Sequence, residues 1–212
     1  AVTSLGDAAQ PPPAVTTRIA MWAGPRTIST ARMRSFGARP DTHVSDEPLY
    51  AHYLRVTGLP HPMAREIVAT QESDWRKVVA ELTGPVPGGR AIWYQKHMAH
   101  HLLPRIERDW LDGLEHAFLI REPRAVLASL GEKLDMQLRL EDTGLPQQVE
   151  LFQWLWERRG EPPAVVDARD VQEHPPEVLR RLCARLGIDY TERMLSWEPG
   201  PRPTGGCWGP DW

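Results

Sequence analysis

The chain has 212 residues, of which 41% are hydrophobic, and a formal net charge of −3 at pH 7. This length and composition suit one globular domain with a sizeable core. The weak negative charge excludes a whole-chain attraction to nucleic acid or to a membrane surface, and no apolar run approaches the roughly 20 residues that a membrane span needs.

Residues 1–16 contain three consecutive prolines and little that can be buried, so they predict a flexible N-terminal arm. Residues 17–212 predict a single α/β domain. Cys183 and Cys207 make no disulfide framework, and the first residues show no basic start or apolar middle of a signal peptide. We therefore expect a reducing, cytoplasmic setting.

Short apolar runs alternate with helical patterns along the chain. The predicted strands are Thr17–Trp22, Val44–Ser45, Ala91–Gln95, His116–Ile120 and Ala164–Val166. The predicted helices are Ser29–Phe36, Pro48–Arg55, Ser73–Leu82 with Ser73 as N-cap, Pro123–Leu130, Val149–Arg158 and Pro176–Leu186. Strands that are apolar throughout predict a central parallel sheet with helices on both faces, a three-layer α/β/α fold of the P-loop nucleotide-binding type. Ligands bind such sheets at the carboxyl ends of the strands.

The stretch "GPRTIST", Gly24–Thr30, follows the first predicted strand and opens a helix. A turn of this kind brings backbone N–H groups and a helix N-terminus to one point, which favours an anion. Arg26 adds a forked cation that stays protonated. The Gly-Lys-Ser/Thr signature of ATP kinases is missing. The pattern predicts an anion site, although an ordinary turn with a surface arginine is the alternative.

A second stretch, "FLIREPRAVLASL", places Arg121 at the end of a strand and Ser129 eight residues later. Together with the loop, it resembles the sulfotransferases that use 3′-phosphoadenosine 5′-phosphosulfate (PAPS). The resemblance implies that Arg121 and Ser129 bind the 3′-phosphate. It also implies that the 5′-phosphosulfate is held by the loop, namely Gly24, Pro25, Arg26, Thr27, Ile28, Ser29 and Thr30, with Arg26 as a catalytic cation.

A third stretch, "KHMAHHLLP", resembles the "THLPxxLLP" segment of cytosolic members and puts His97 on the family's catalytic base. Glu47, in "EPL", resembles the glutamate that other members use. Either residue can instead be structural: Glu47 can cap the helix predicted at Pro48, and His97 can be a polar residue at a helix start. Both stay open as bases, and the longer match favours His97.

The chain departs from the family pattern at three points. Ile28 stands where many members have a glycine, and Ala31 stands where some have a Trp that stacks on adenine. The glycine-rich segment that closes over the 3′-phosphate is only suggested by "PRPTGGCWGPDW", so we expect a C-terminus truncated at Trp212.

The resemblance implies an enzyme that moves a sulfuryl group from PAPS to a hydroxyl of a small molecule by in-line displacement. Such a reaction requires no metal, and the histidines around His97 lack the HExxH pattern of a zinc site. Two rival hypotheses are a nucleotide-dependent phosphotransferase and a nucleotide-binding protein without catalysis. No nucleic-acid or membrane partner is expected, and a homodimer is compatible with the sequence.

Overall fold

The computed structural model describes residues 16–131, 140–198 and 200. Its sheet contains five parallel strands in the order β2-β3-β1-β4-β5. The strands are β1 (Thr17–Ala23), β2 (Thr42–Asp46), β3 (Ile92–Met98), β4 (Glu115–Ile120) and β5 (Ala164–Asp167). The predicted N-terminal arm lies almost entirely outside the described residues, and Cys207 and the glycine-rich end lie wholly outside them.

Helices cover both faces of this sheet, which confirms the predicted three-layer α/β/α fold. They are α1 (Ser29–Gly37), α2 (Tyr50–Thr57), α3 (Ala64–Thr70), α4 (Trp75–Thr83), α5 (Pro123–Gly131), α6 (Leu145–Arg159), α7 (Ala168–Glu173) and α8 (Pro175–Arg185). The short helices α3 and α7 were not predicted. No helix in the described part of the chain is long and apolar enough to cross a membrane.

Strand β1 supplies the core on both sides, because successive side chains of a strand point to opposite faces. Ile19, Met21 and Ala23 pack in a cluster with residues of α1 and α8. Ala20 and Trp22 pack in a second cluster with residues of α4 and α6. The two clusters form the two layers of core between the sheet and its helices.

Several predicted boundaries differ from the observed ones, such as the start of α6 at Leu145 instead of Val149, and two of them have a clear local cause. Helix α4 is capped by Asp74, whose carboxylate accepts a hydrogen bond from the backbone N–H of Arg76 at 3.0 Å, and not by Ser73. Strand β3 was expected to end at Gln95 but continues to Met98. Its polar residues 95–97 are buried because other parts of the fold provide partners for them.

Candidate active site

The loop between β1 and α1 has an unusual backbone. Arg26 and Ile28 both adopt left-handed conformations, with φ of 61° and 57°. Such conformations are unfavourable for residues with a side chain and gather at functional sites. The Thr27 hydroxyl donates to the Gly24 carbonyl at 2.7 Å and closes the turn. Ile28, which stands where many family members have glycine, therefore takes the conformation that glycine adopts most easily.

Two further features leave this loop open to an anion. Ile28, the N-cap of α1, has no side-chain acceptor for the first N–H groups of the helix, so an anion would suit them as a partner. A side chain at Gly24 would bring its Cβ within 2.5 Å of the Thr143 carbonyl oxygen, so this position has room only for glycine. The loop thus runs close to the backbone at Thr143 and presents the helix N-terminus at the carboxyl end of β1.

The structure brings Arg121 and Ser129 to this loop, although about a hundred residues separate them from it. Nε of Arg26 donates to the Ser129 hydroxyl at 2.8 Å. Nη1 of Arg121 donates to the backbone carbonyl of Arg26, also at 2.8 Å. Neither guanidinium forms an ion pair with any carboxylate whose side chain the structure describes. Two half-buried cations that lack counter-charges suit a ligand with several negative charges.

A buried ion cluster lies beside the loop, at the carboxyl ends of β2 and β3. Nζ of Lys96 is 2.8 Å from both Asp46 Oδ1 and Glu47 Oε1, and 3.5 Å from the Thr30 hydroxyl. Burial alone lowers the pKa of Lys96, but the nearby Glu47 and Asp46 carboxylates outweigh it, so that the pKa is raised. The ammonium therefore stays charged. Glu47 has a φ of 46°, so the backbone there is also left-handed.

His97 lies elsewhere than predicted, because it is part of β3 and does not follow it. Its ring stacks on Trp22 with centroids 4.6 Å apart, and its Nε2 is 3.2 Å from Gln95 Oε1. Burial, helped by His116, lowers the pKa of His97 to about 3. Strand alternation places His97 on the opposite face of the sheet from Lys96. The structure therefore does not bring the two candidate bases together.

A cluster of rings next to Glu47 was only partly anticipated. Tyr50 and Tyr53 of α2 contact His101, which follows β3, with centroids 4.8 and 4.6 Å apart. From the sequence, the histidines around His97 were considered only for a metal site. Among the described residues, no group of three or more His, Cys, Asp or Glu side chains is arranged to hold a metal ion.

Gln148 of α6 was missed entirely. Its Nε2 donates to the carbonyls of Trp22 and Leu119, at 3.2 and 3.0 Å, and so bridges the carboxyl ends of β1 and β4. Gln148 is buried, and it supports the edge of the sheet from which the loop and Arg121 emerge. No local signal reveals this role, because both partners are remote in sequence.

Comparison with known proteins adds three findings. A family model described as "Sulfotransferase domain" matches residues 17–212. Two Arabidopsis thaliana proteins, branched-chain-amino-acid aminotransferase-like proteins 2 and 1, are 37% and 38% identical over 191 residues, which are 90% of this chain and 34% of each relative. The chain spans about a third of their length. The sulfotransferase domain of the Synechococcus PCC 7002 olefin synthase shares the fold, with a TM-score of 0.53, 19% identity and coverage of 95% of this chain and 84% of that domain.

Proposed function

The chain belongs to the sulfotransferase domain family, and on this premise we propose that it transfers a sulfuryl group from PAPS to a hydroxyl of a small molecule. The observation that supports this most directly is the pair of hydrogen bonds that joins Arg26, Ser129 and Arg121. These bonds join the loop to Arg121 and Ser129, the two parts from which the donor site was predicted. PAPS carries a phosphosulfate and a separate 3′-phosphate, which matches two cationic groups without a carboxylate partner among the described side chains.

In this proposal the loop binds the phosphosulfate through its backbone N–H groups and the start of α1. Arg121 and Ser129 bind the 3′-phosphate, and Arg26 lies between the two parts. PAPS supplies a sulfuryl group that is transferred as the S–O bond to the departing bisphosphate breaks. Negative charge then grows on the bridging oxygen, and a fixed guanidinium stabilises that charge more in the transition state than in the ground state.

We propose Glu47, and not His97, as the group that takes the acceptor's proton. Glu47 is bound to Lys96, which also lies near Thr30 of the loop, so these side chains face the same end of the sheet. His97 is stacked on Trp22 in an apolar layer, and its pKa of about 3 is far from the range that suits a general base at neutral pH. Its role as base stays a prediction with weaker support.

The charged groups around Lys96 also bear on which acceptors the enzyme could use. With Glu47 and Asp46 as its partners, the ammonium is held within reach of the Thr30 hydroxyl. The carboxylates of Glu47 and Asp46 would repel an acceptor that brings a further negative charge close to them. This favours a neutral or cationic alcohol or phenol as the acceptor.

We also propose that the enzyme works in the cytoplasm, in keeping with the free thiol of Cys183.

The proposal is tested first by ligand binding. Thermal unfolding is followed with adenosine 3′,5′-bisphosphate and, separately, with ATP and Mg²⁺. A ligand at about 100 times its Kd adds about 2.7 kcal/mol to the free energy of unfolding. A shift with the bisphosphate alone supports a sulfotransferase donor site. A shift with ATP–Mg²⁺ alone contradicts it and favours a phosphotransferase.

A transfer assay then separates an enzyme from a binding protein. Radiolabelled PAPS is incubated with a panel of neutral phenols and primary alcohols, and the labelled sulfate esters are separated from the donor. Label transfer to at least one acceptor is expected, and its rate should fall by about 10²–10³-fold when Arg26 is replaced by alanine. Bisphosphate binding without transfer to any acceptor would favour the non-catalytic alternative.

A further inference from the structure

A buried imidazole, that of His101, lies next to Glu47. His101 is 3% exposed and ends the short 3₁₀ turn Ala99–His101 that follows β3. Its Nδ1 is buried and has no hydrogen-bond partner among the described residues. This atom is 4.0 Å from Glu47 Oε2, which is about 1 Å beyond hydrogen-bond distance. An unpaired buried nitrogen that faces a carboxylate calls for an explanation, because such atoms are costly to leave without a partner.

The ring of His101 is held by its neighbours, so Nδ1 is kept facing Glu47. The ring is stacked on Tyr50 at an interplanar angle of 9°, and it also contacts Tyr53 and His100. Burial lowers the pKa of His101 well below its usual value, and His100, His61, Lys96 and His97 act in the same direction. The imidazole is therefore neutral, with one ring nitrogen protonated and the other not.

The charge of Glu47 decides which nitrogen carries the proton. Its Oε1 already accepts a hydrogen bond from Lys96 at 2.8 Å. A carboxylate can only accept hydrogen bonds, so a bond across the gap to Oε2 requires the proton to be on Nδ1 of His101. Lys96 and His101 would then hold the two oxygens of Glu47 from two sides, which fixes the plane of the carboxylate.

We propose that His101 is a positioning residue that donates a hydrogen bond from Nδ1 to Oε2 of Glu47 and orients this carboxylate toward the acceptor hydroxyl. The inference rests on the proposed function insofar as Glu47 is the base. A base is commonly oriented by a third group in this manner. The contact itself is a property of the folded chain, so it can be tested without any acceptor.

The tautomer of His101 is the direct test. The full chain is labelled with ¹⁵N-histidine, and long-range ¹H–¹⁵N spectra identify which ring nitrogen bears the proton, with His101 assigned by loss of its signals in His101→Asn. We expect the Nδ1–H form in the wild type, and loss of this preference in Glu47→Ala. An Nε2–H form in the wild type, or an Nδ1–H form that persists in Glu47→Ala, would overturn the proposal.

His116 serves as an internal reference in the same spectra. Its Nδ1 accepts a hydrogen bond from the Trp22 indole N–H at 3.0 Å, and its Nε2 is 2.8 Å from the Leu111 carbonyl. Because an indole can only donate and a carbonyl can only accept, His116 must be the Nε2–H form. Its signals should not change in Glu47→Ala. A change at His116 would mean that this variant is misfolded, in which case Glu47→Leu replaces it in the comparison.

Rate measurements test whether the contact matters for transfer. Asparagine can place an N–H group near the position of Nδ1, whereas leucine cannot. His101→Leu should lower the single-turnover rate by about 10- to 100-fold, the effect of losing one hydrogen bond to a charged group. His101→Asn should recover most of it, and bisphosphate affinity should stay the same in both. Equal rates for Asn and Leu would contradict a positioning role.

A control variant separates positioning from packing. His52 of α2 is also buried, and its Nδ1 is 3.0 Å from the Ser73 carbonyl. His52→Leu should lower the melting temperature but leave the transfer rate within about threefold, since the hydrogen bond of this side chain is to Ser73 and not to Glu47 or the loop. If wild-type protein transfers to no acceptor while the tautomer result holds, the proposed function fails and the His101–Glu47 contact stands.

Discussion

Replacing Lys96 by methionine removes a buried ammonium and keeps a side chain of similar length. Lys96 is 2.8 Å from both Asp46 and Glu47, and the side chains of these three residues are 4%, 5% and 12% exposed. Removal of one member of a buried ion pair typically destabilises a protein by about 3–5 kcal/mol, because the remaining charge stays buried without compensation. Here Glu47 and Asp46 both lose the ammonium that they contact, so we expect the free energy of unfolding at pH 7 to fall by about 3–5 kcal/mol.

The measurement is urea denaturation followed by circular dichroism, with Lys77→Met as the matched control. Nζ of Lys77 is 3.5 Å from Glu72, but these side chains are 70% and 40% exposed. An exposed pair of this kind contributes about 0–1 kcal/mol. If Lys96→Met is destabilised by no more than Lys77→Met, the buried cluster does not stabilise the fold and the reasoning is refuted.

The same variant makes a pH-dependent prediction. The pKa of Lys96 is raised above its ordinary value of 10.5, because the neighbouring carboxylates outweigh the opposing effect of burial. The stability from this shift is fully present below pH 10.5 and is lost as the pH rises through the raised value. Wild-type protein should therefore lose stability above that pH more steeply than Lys96→Met. Parallel curves would show that the pKa is not raised.

Substitutions at four residues test the donor site and the base. Arg121→Ala should weaken binding of adenosine 3′,5′-bisphosphate much more than binding of adenosine 5′-monophosphate, because only the former has a 3′-phosphate; calorimetry that gives equal losses would refute the assignment. Arg26→Ala should lower the single-turnover rate by about 10²–10³-fold, with partial recovery in Arg26→Lys, and a fall in donor affinity alone would limit Arg26 to ground-state binding. Glu47→Gln should lower that rate by about 10²–10⁴-fold while His97→Gln leaves it near wild type, and the reverse order would restore His97 as the base. Because burial lowers the pKa of His97 to about 3, the stability linked to this residue is present above its ordinary 6.5 and is lost as the pH falls toward 3, so denaturation of His97→Gln between pH 7 and 5 should show a weaker loss.

The clearest difference between sequence and structure concerns the stretch "QKHM" at the end of β3. Three polar residues after an apolar run indicated the end of a strand, and this placed Lys96 and His97 together at the edge of the sheet. In the structure the strand continues through them, because Asp46 and Glu47 neutralise Lys96 while Trp22 stacks on His97. These partners come from other parts of the chain, so no local pattern could show that the polar residues are buried.

The loop between β1 and α1 differs from the end of β3, because the features that predict its role are local in the sequence. Its glycine, hydroxyl residues and arginine between a strand and a helix were sufficient to predict an anion site, because a strand–turn–helix connection generates its N–H donors locally. The contact of Arg26 with Ser129 follows from the parallel order of β1 and β4, which places the turns after both strands at the same edge of the sheet. The spacing of Arg121 and Ser129 alone suggested a common ligand but not their contact with the loop.

The sequence by itself determined the alternation of strands and helices, the parallel sheet and the cationic loop after β1, since hydrophobic periodicity and turn chemistry act over a few residues. Only the tertiary structure decided which polar groups share an environment. It paired Lys96 with two carboxylates, put His97 into an apolar layer and set His101 beside Glu47. The physical reason is that burial and Coulomb interactions depend on distances between segments remote in sequence, and these distances exist only once the sheet has formed and its helices have packed against it.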